Sequence, residues 1–100
     1  MARYYSHTVI LPDESHLEDF VVEVDKSVVG YYPFVGEIHS TIYIDMPILL
    51  SYRTDLDGKT ISLEQLAWAL HDAGNKIVVY AYRLTPCLLC TGERYVLTKL

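Results

Sequence analysis

A ferredoxin-like α+β sandwich is the fold class this sequence predicts: a βαββαβ order with one additional C-terminal strand, two helices lying over one face of an antiparallel sheet. Three observations predict it. Ser15 with Glu18 and Ser62 with Gln65 have the spacing of capping boxes at helix starts. Apolar residues at helical spacing follow each of them, and the remaining segments are rich in β-branched and aromatic residues bounded by turn formers.

Taken in order, Tyr4 to Leu11 is a strand by composition, closed by Pro12-Asp13. Leu17, Phe20, Val21, Val24 and Val28 then keep the spacing of a helix to about Val28, although the density of valine favours extended chain. Gly30 and Pro33 mark a turn. Val35 to Ile44 and Ile48 to Thr54 are two strands separated by Asp45-Met46-Pro47.

After the Asp55 to Gly58 loop, a second helix is predicted from Ser62 to Ala73, with Leu63, Leu66, Ala67, Leu70 and Ala73 on one stripe and Gly74 in the left-handed position that ends it. Ile77 to Leu84, apolar on both faces, suits a strand in the middle of a sheet. Cys87 to Cys90 is a short strand or a loop, and Tyr95 to Leu100 closes the chain at an edge. One hundred residues support a single domain spanning 1–100.

Trp68 carries the clearest functional hint. At about 100° per residue it projects roughly 160° from the centre of the apolar stripe, among Glu64, Gln65, His71 and Asp72. An indole on a charged helix face points to a partner, because tryptophan is enriched where interfaces concentrate their energy. Nine tyrosines stand against two phenylalanines and one tryptophan. Their rings are apolar and their tips polar, which suits half-buried sheet faces and interfaces. With both helices on one side, the other sheet face is left open, and some of Tyr5, Tyr52, Tyr80 and Tyr82, which fall on predicted strands, are expected to point onto it. The predicted contact residues are therefore Trp68, Glu64, Asp72, Tyr52, Tyr80 and Tyr82.

Charge and motifs narrow the classes further. A net charge of −5 disfavours binding to nucleic acid, whose affinity rests on cations that neutralise phosphates. Arg3, Arg53 and Arg83 beside strand tyrosines leave single-stranded nucleic acid as an alternative ligand of the sheet face. No apolar run approaches the ~20 residues that span a bilayer, and no secretory signal pattern is visible near the first residues. A cytoplasmic protein, in a host cytoplasm if virally encoded, is expected.

Cys87-Leu-Leu-Cys90 has the spacing of half a zinc site, a weak candidate that His7, His16, His39 or His71 would have to complete, and also that of a redox pair. Two cysteines three residues apart are not a disulfide framework. Two small core or loop cysteines are the expectation, with no metal and no cofactor.

Catalysis is not expected: His39 beside Glu37, His71 beside Asp72, and Asp55 with Asp57 accompany no nucleophile motif, phosphate loop or paired metal ligands. What remains is a small acidic protein-interaction module that binds a protein partner or forms a homodimer. In general character, short, acidic and rich in tyrosine, it resembles the accessory and inhibitor proteins of phages and other mobile elements, a likeness carried by no motif.

Overall fold

A computed structural model describes residues 1–36, 40–72 and 74–100. Eight strands form one mixed sheet: β1 (Ala2–Ile10), β2 (His16–Asp25), β3 (Ser27–Pro33), β4 (Thr41–Ile44), β5 (Ile48–Ser51), β6 (Thr60–Ser62), β7 (Tyr80–Pro86) and β8 (Arg94–Lys99). Their order is β3-β2-β1-β5-β7-β8-β6, with β4 also beside β1. β1 is parallel to β4 and β5 and antiparallel to β2, so the sheet is not the antiparallel one expected. Among the described residues, helix is confined to a 3-10 turn at Leu63–Gln65 and a single α-helix, α1 (Leu66–Leu70). The ferredoxin-like α+β prediction is overturned.

The first predicted helix is a pair of strands. Ser15 caps no helix; its backbone N–H and hydroxyl both donate to Asp13 Oδ1, at 2.9 and 2.5 Å, in the turn from β1 to β2. The helical spacing has an extended-chain origin. In a regular strand, residues on one face lie an even number apart, yet Leu17 and Phe20 pack against the same core, as do Tyr4 and Val9 on the neighbouring strand. The two strands change faces together where His7 meets Asp19, the one opposed pair missing from an otherwise continuous ladder. Asp19 there has φ 56°, a left-handed conformation that Asp tolerates better than most residues. The second interval is a turn: Val24 and Val28 are cross-strand partners on either side of Lys26, whose φ is 66°.

The second helix is shorter than its stripe. Gln65 Oε1 accepts the Ser62 backbone N–H at 3.0 Å, so the glutamine half of that capping box forms. The other end is set by β5 and the residues after it. Ser51 Oγ donates to the Ala69 carbonyl and the Tyr52 N–H donates to the Leu70 carbonyl at 3.1 Å. These donors satisfy the last carbonyls, and His71 is already extended at φ −120° and ψ 147°. Gly74 is not among the glycines with positive φ and does not end the helix as predicted. Ala73 lies outside the described residues. Leu70 and Ala69 are buried and Leu66 half-buried, whereas Leu63 and Ala67 are exposed.

Two cores lie on opposite faces of the central strands. Leu49, Tyr82 and Leu84 join Leu56, Ile61, Leu70 and Leu97 on the face under α1. Ile48, Leu50 and Ala81 project the other way, onto Val9, Val22, Val24 and Ile44. The sheet itself covers this second face by curling until the Val28 N–H donates to the Val79 carbonyl at 2.8 Å. Burial on both sides accounts for the unbroken apolar run of β5.

Candidate interaction surface

Opposite the second core, β4, β1, β2 and β3 present their other face. Register lines up Tyr43, Tyr5, Val21 and Tyr32 in one row across the four strands, since Tyr43 pairs with Tyr5, Tyr5 with Val21 and Val21 with Tyr32. Val21 is fully buried in this row. Phe34, brought over the face where its N–H donates to the Asp19 carbonyl at 2.8 Å, packs its ring 4.7 Å from Tyr5 and 6.1 Å from Tyr43. Tyr5 and Tyr43 meet edge to face at 5.3 Å. Tyr43 keeps 55 % of its surface exposed, and Tyr5, Tyr32 and Phe34 are half-buried.

The rim of this face is polar and internally matched. Arg3 Nε donates to Glu23 Oε2 at 2.8 Å, and this contact raises the guanidinium pKa. At the break in the ladder, Asp19 Oδ1 accepts the Tyr5 hydroxyl at 2.5 Å and lies 2.7 Å from His7 Nδ1. The Tyr5 bond, followed by the His7 bond, holds the Asp19 carboxyl below its ordinary range. The same bond to Asp19, with lesser contributions from burial and the carboxylate charge, pushes the Tyr5 phenol up to about 12. Among the described residues the rim sets Arg3 against Glu23 and His7 against Asp19, which gives the face no cationic surplus. Its chemistry is aromatic contact with hydroxyl hydrogen bonding, in the manner of tyrosine-rich protein interfaces.

The contact residues predicted from sequence lie elsewhere. Tyr82 is fully buried, its hydroxyl donating to the Arg53 carbonyl at 2.7 Å, and so belongs to the core and not to any surface. Tyr80 is half-buried against the same core, with Lys99 Nζ 4.9 Å from its ring centre. Tyr52 is half-buried and stacks on His71, 6.4 Å between ring centres. Glu64 is exposed on the 3-10 turn, and Asp72 Oδ1 accepts the Gly74 N–H at 2.9 Å.

Trp68 is 46 % exposed and already has neighbours. The Arg53 guanidinium stands 4.1 Å from its ring centre and Lys59 Nζ 5.8 Å. Arg53 is in turn clamped by Asp55 at 3.1 and 3.0 Å and by the His71 carbonyl at 3.3 Å. Much of what an indole offers a partner is thus taken within the chain. Trp68→Ala is expected to lower stability by ~1 kcal/mol in a urea titration, the scale of one cation–π contact at a half-exposed site.

Cys87 and Cys90 form a disulfide where free thiols were expected, so neither sulfur is a thiolate ligand. The loop they close holds Leu88 and Leu89 almost wholly in solvent. Among the described residues no three His, Cys, Asp or Glu side chains group to hold a metal ion. His39, paired with Glu37 in the sequence reading, lies outside the described residues. Asp55 is engaged by Arg53 and Lys59, and Asp57 Oδ1 accepts the Lys99 N–H at 2.9 Å. No described helix is long and apolar enough to cross a membrane.

From the sequence, Tyr5 is one of four strand tyrosines of which some are expected on the open face, and it is not among the predicted contact residues; Tyr32, Phe34, Tyr43 and the His7–Asp19 pair are missed. A signal was present: Val24-Asp25-Lys26-Ser27-Val28 is a tight hairpin flanked by valines, and two strands there bring Tyr32 beside Val21. Comparison with known protein families, curated proteins and solved structures gave no match.

Proposed function

We propose that the chain is a small protein-interaction module, of accessory or inhibitor type, whose docking face is the tyrosine-bearing side of β4, β1, β2 and β3. The observation that carries this reading is the in-register row Tyr43–Tyr5–Val21–Tyr32. Folding on the opposite face does not require those rings to stay at the surface, and an aromatic patch backed by a rigid sheet loses little side-chain entropy on binding. A single-stranded nucleic acid would also stack on such rings. Among the described residues the arginine beside them, Arg3, is already engaged by Glu23, which disfavours contact with a phosphate backbone.

Tyr5→Ala with Tyr32→Ala is the test. Immobilised protein is incubated with an extract of the source cells, and the double variant is expected to lose at least tenfold of whatever polypeptide the unsubstituted chain retains, its melting temperature falling by only a few degrees. Retention that is unchanged, or that is abolished by nuclease, refutes the reading.

A further inference from the structure

Strand β4 uses only one of its two edges. It pairs with β1 from Arg3↔Thr41 to Ser6↔Ile44 and with no other strand among the described residues. β5, farther along the same side of β1, is closed by β7, but that closure stops short of β4. Its last link is the Leu84 N–H to the Pro47 carbonyl at 3.0 Å, and beyond it β7 carries Pro86, which has no N–H to offer. A cavity of about 400 Å³ lined by Tyr43, Ile44, Met46 and Arg83 lies between the two strands.

An open edge is a template for another strand, and proteins usually guard it with charge, proline or a bulge. Thr41-Ile42-Tyr43-Ile44 carries no charge and no proline, and brevity is the protection it has. Ile42 and Tyr43, 52 and 55 % exposed, project to opposite sides, so the edge is apolar on both faces.

We infer that β4 pairs antiparallel with β4 of a second copy, about a two-fold axis perpendicular to the sheet. The strand is self-complementary in this arrangement. With the axis at Tyr43, that ring meets its own counterpart, Ile42 opposes Ile44, and Thr41 opposes Asp45, a hydroxyl against a carboxylate. In a chain of net charge −5, β4 is a place where two copies meet without opposing acids. The pairing also runs the aromatic row of one copy into that of the other. The inference rests on the docking face proposed above, whose Tyr43 end it extends. Four residues with their neighbours make a small interface, so the dimer is weak and concentration-dependent.

Sedimentation equilibrium from about 1 µM to about 1 mM spans the affinities of such an interface. The unsubstituted chain is expected to pass from monomer to dimer, and Ile42→Lys to weaken association at least tenfold, because an edge lysine blocks strand addition. Amide hydrogen exchange on the unsubstituted chain supplies a readout independent of any variant: protection of β4 amides should rise with concentration. A monomer throughout, or a dimer whose β4 amides exchange as fast as in the monomer, overturns the inference. If the chain stays monomeric while Tyr5→Ala with Tyr32→Ala still loses its captured polypeptide, edge pairing fails and the docking face stands. Dimers abolished by Ile42→Lys, alongside capture indifferent to the tyrosines, give the converse.

Discussion

Tyr82→Ala is expected to remove ~3–5 kcal/mol of stability, a large share of the ~5–15 kcal/mol a domain of this size has. The ring is fully enclosed in β7, flanked by Leu49 of β5 on one side and Lys99 of β8 on the other, and it packs into the core beneath α1. Its hydroxyl ties that core to the Arg53 carbonyl, and the Arg53 side chain in turn covers Trp68. Tyr82→Phe keeps the ring and loses the bond, at a cost of ~1 kcal/mol. Guanidinium unfolding of the two variants separates packing from hydrogen bonding.

The same phenol links stability to alkaline pH. Burial, the largest cause, raises its pKa above the ordinary 10. The folded state therefore holds this proton more tightly than the unfolded chain, and its contribution is fully present below the unfolded pKa. It is lost as pH climbs from about 10 through the folded value. Tyr5, raised to about 12, acts in the same direction. Melting temperature should fall on this alkaline limb, and less steeply in Tyr82→Phe and Tyr5→Phe; a slope unaltered in both variants would contradict the linkage.

Ser51→Ala is the second large expectation, a loss of ~2 kcal/mol from a change of one oxygen atom. Ser51 is fully buried at the end of β5, where its hydroxyl donates to the Ala69 carbonyl and accepts the Arg53 N–H at 3.0 Å. Removing the hydroxyl strands both backbone groups in a low-dielectric interior. The last turn of α1 should loosen with it, since the bond is one of the two that hold its terminal carbonyls. A red shift in Trp68 fluorescence beyond that of the intact protein would accompany this loosening, as the indole leaves the Arg53 guanidinium. Stability within ~0.5 kcal/mol of the parent would show that water replaces the hydroxyl and that β5 does not set the helix end.

Much of the extended chain was legible. The β1 segment, the Asp45-Met46-Pro47 interruption and the closing strand were visible because β-branched and aromatic residues mix with turn formers there, although the closing strand lies between β7 and β6 and not at the predicted edge. Leu17 to Val28 misled because its i, i+3 and i, i+4 apolar intervals have two physical origins. A helix produces them, and so does an extended chain that changes face at a left-handed residue and then reverses direction. Asp19 and Lys26 supply those two events, and neither conformation is written in residue type. Tyr80 and Tyr82 show the complementary limit. Alternation put them on a common face without saying which face the helix would cover.

The sequence by itself determined that this chain is acidic and rich in tyrosine, with extended segments at its start and end and a helical turn opened by Ser62 and Gln65. Only tertiary structure decided where that helix stops, which tyrosines stay in solvent, and that His7 meets Asp19. Each of these depends on groups distant in sequence competing for the same backbone carbonyl, the same face or the same carboxylate. A helix end held by Ser51 and Tyr52, some 18 residues away, cannot be read from the helix.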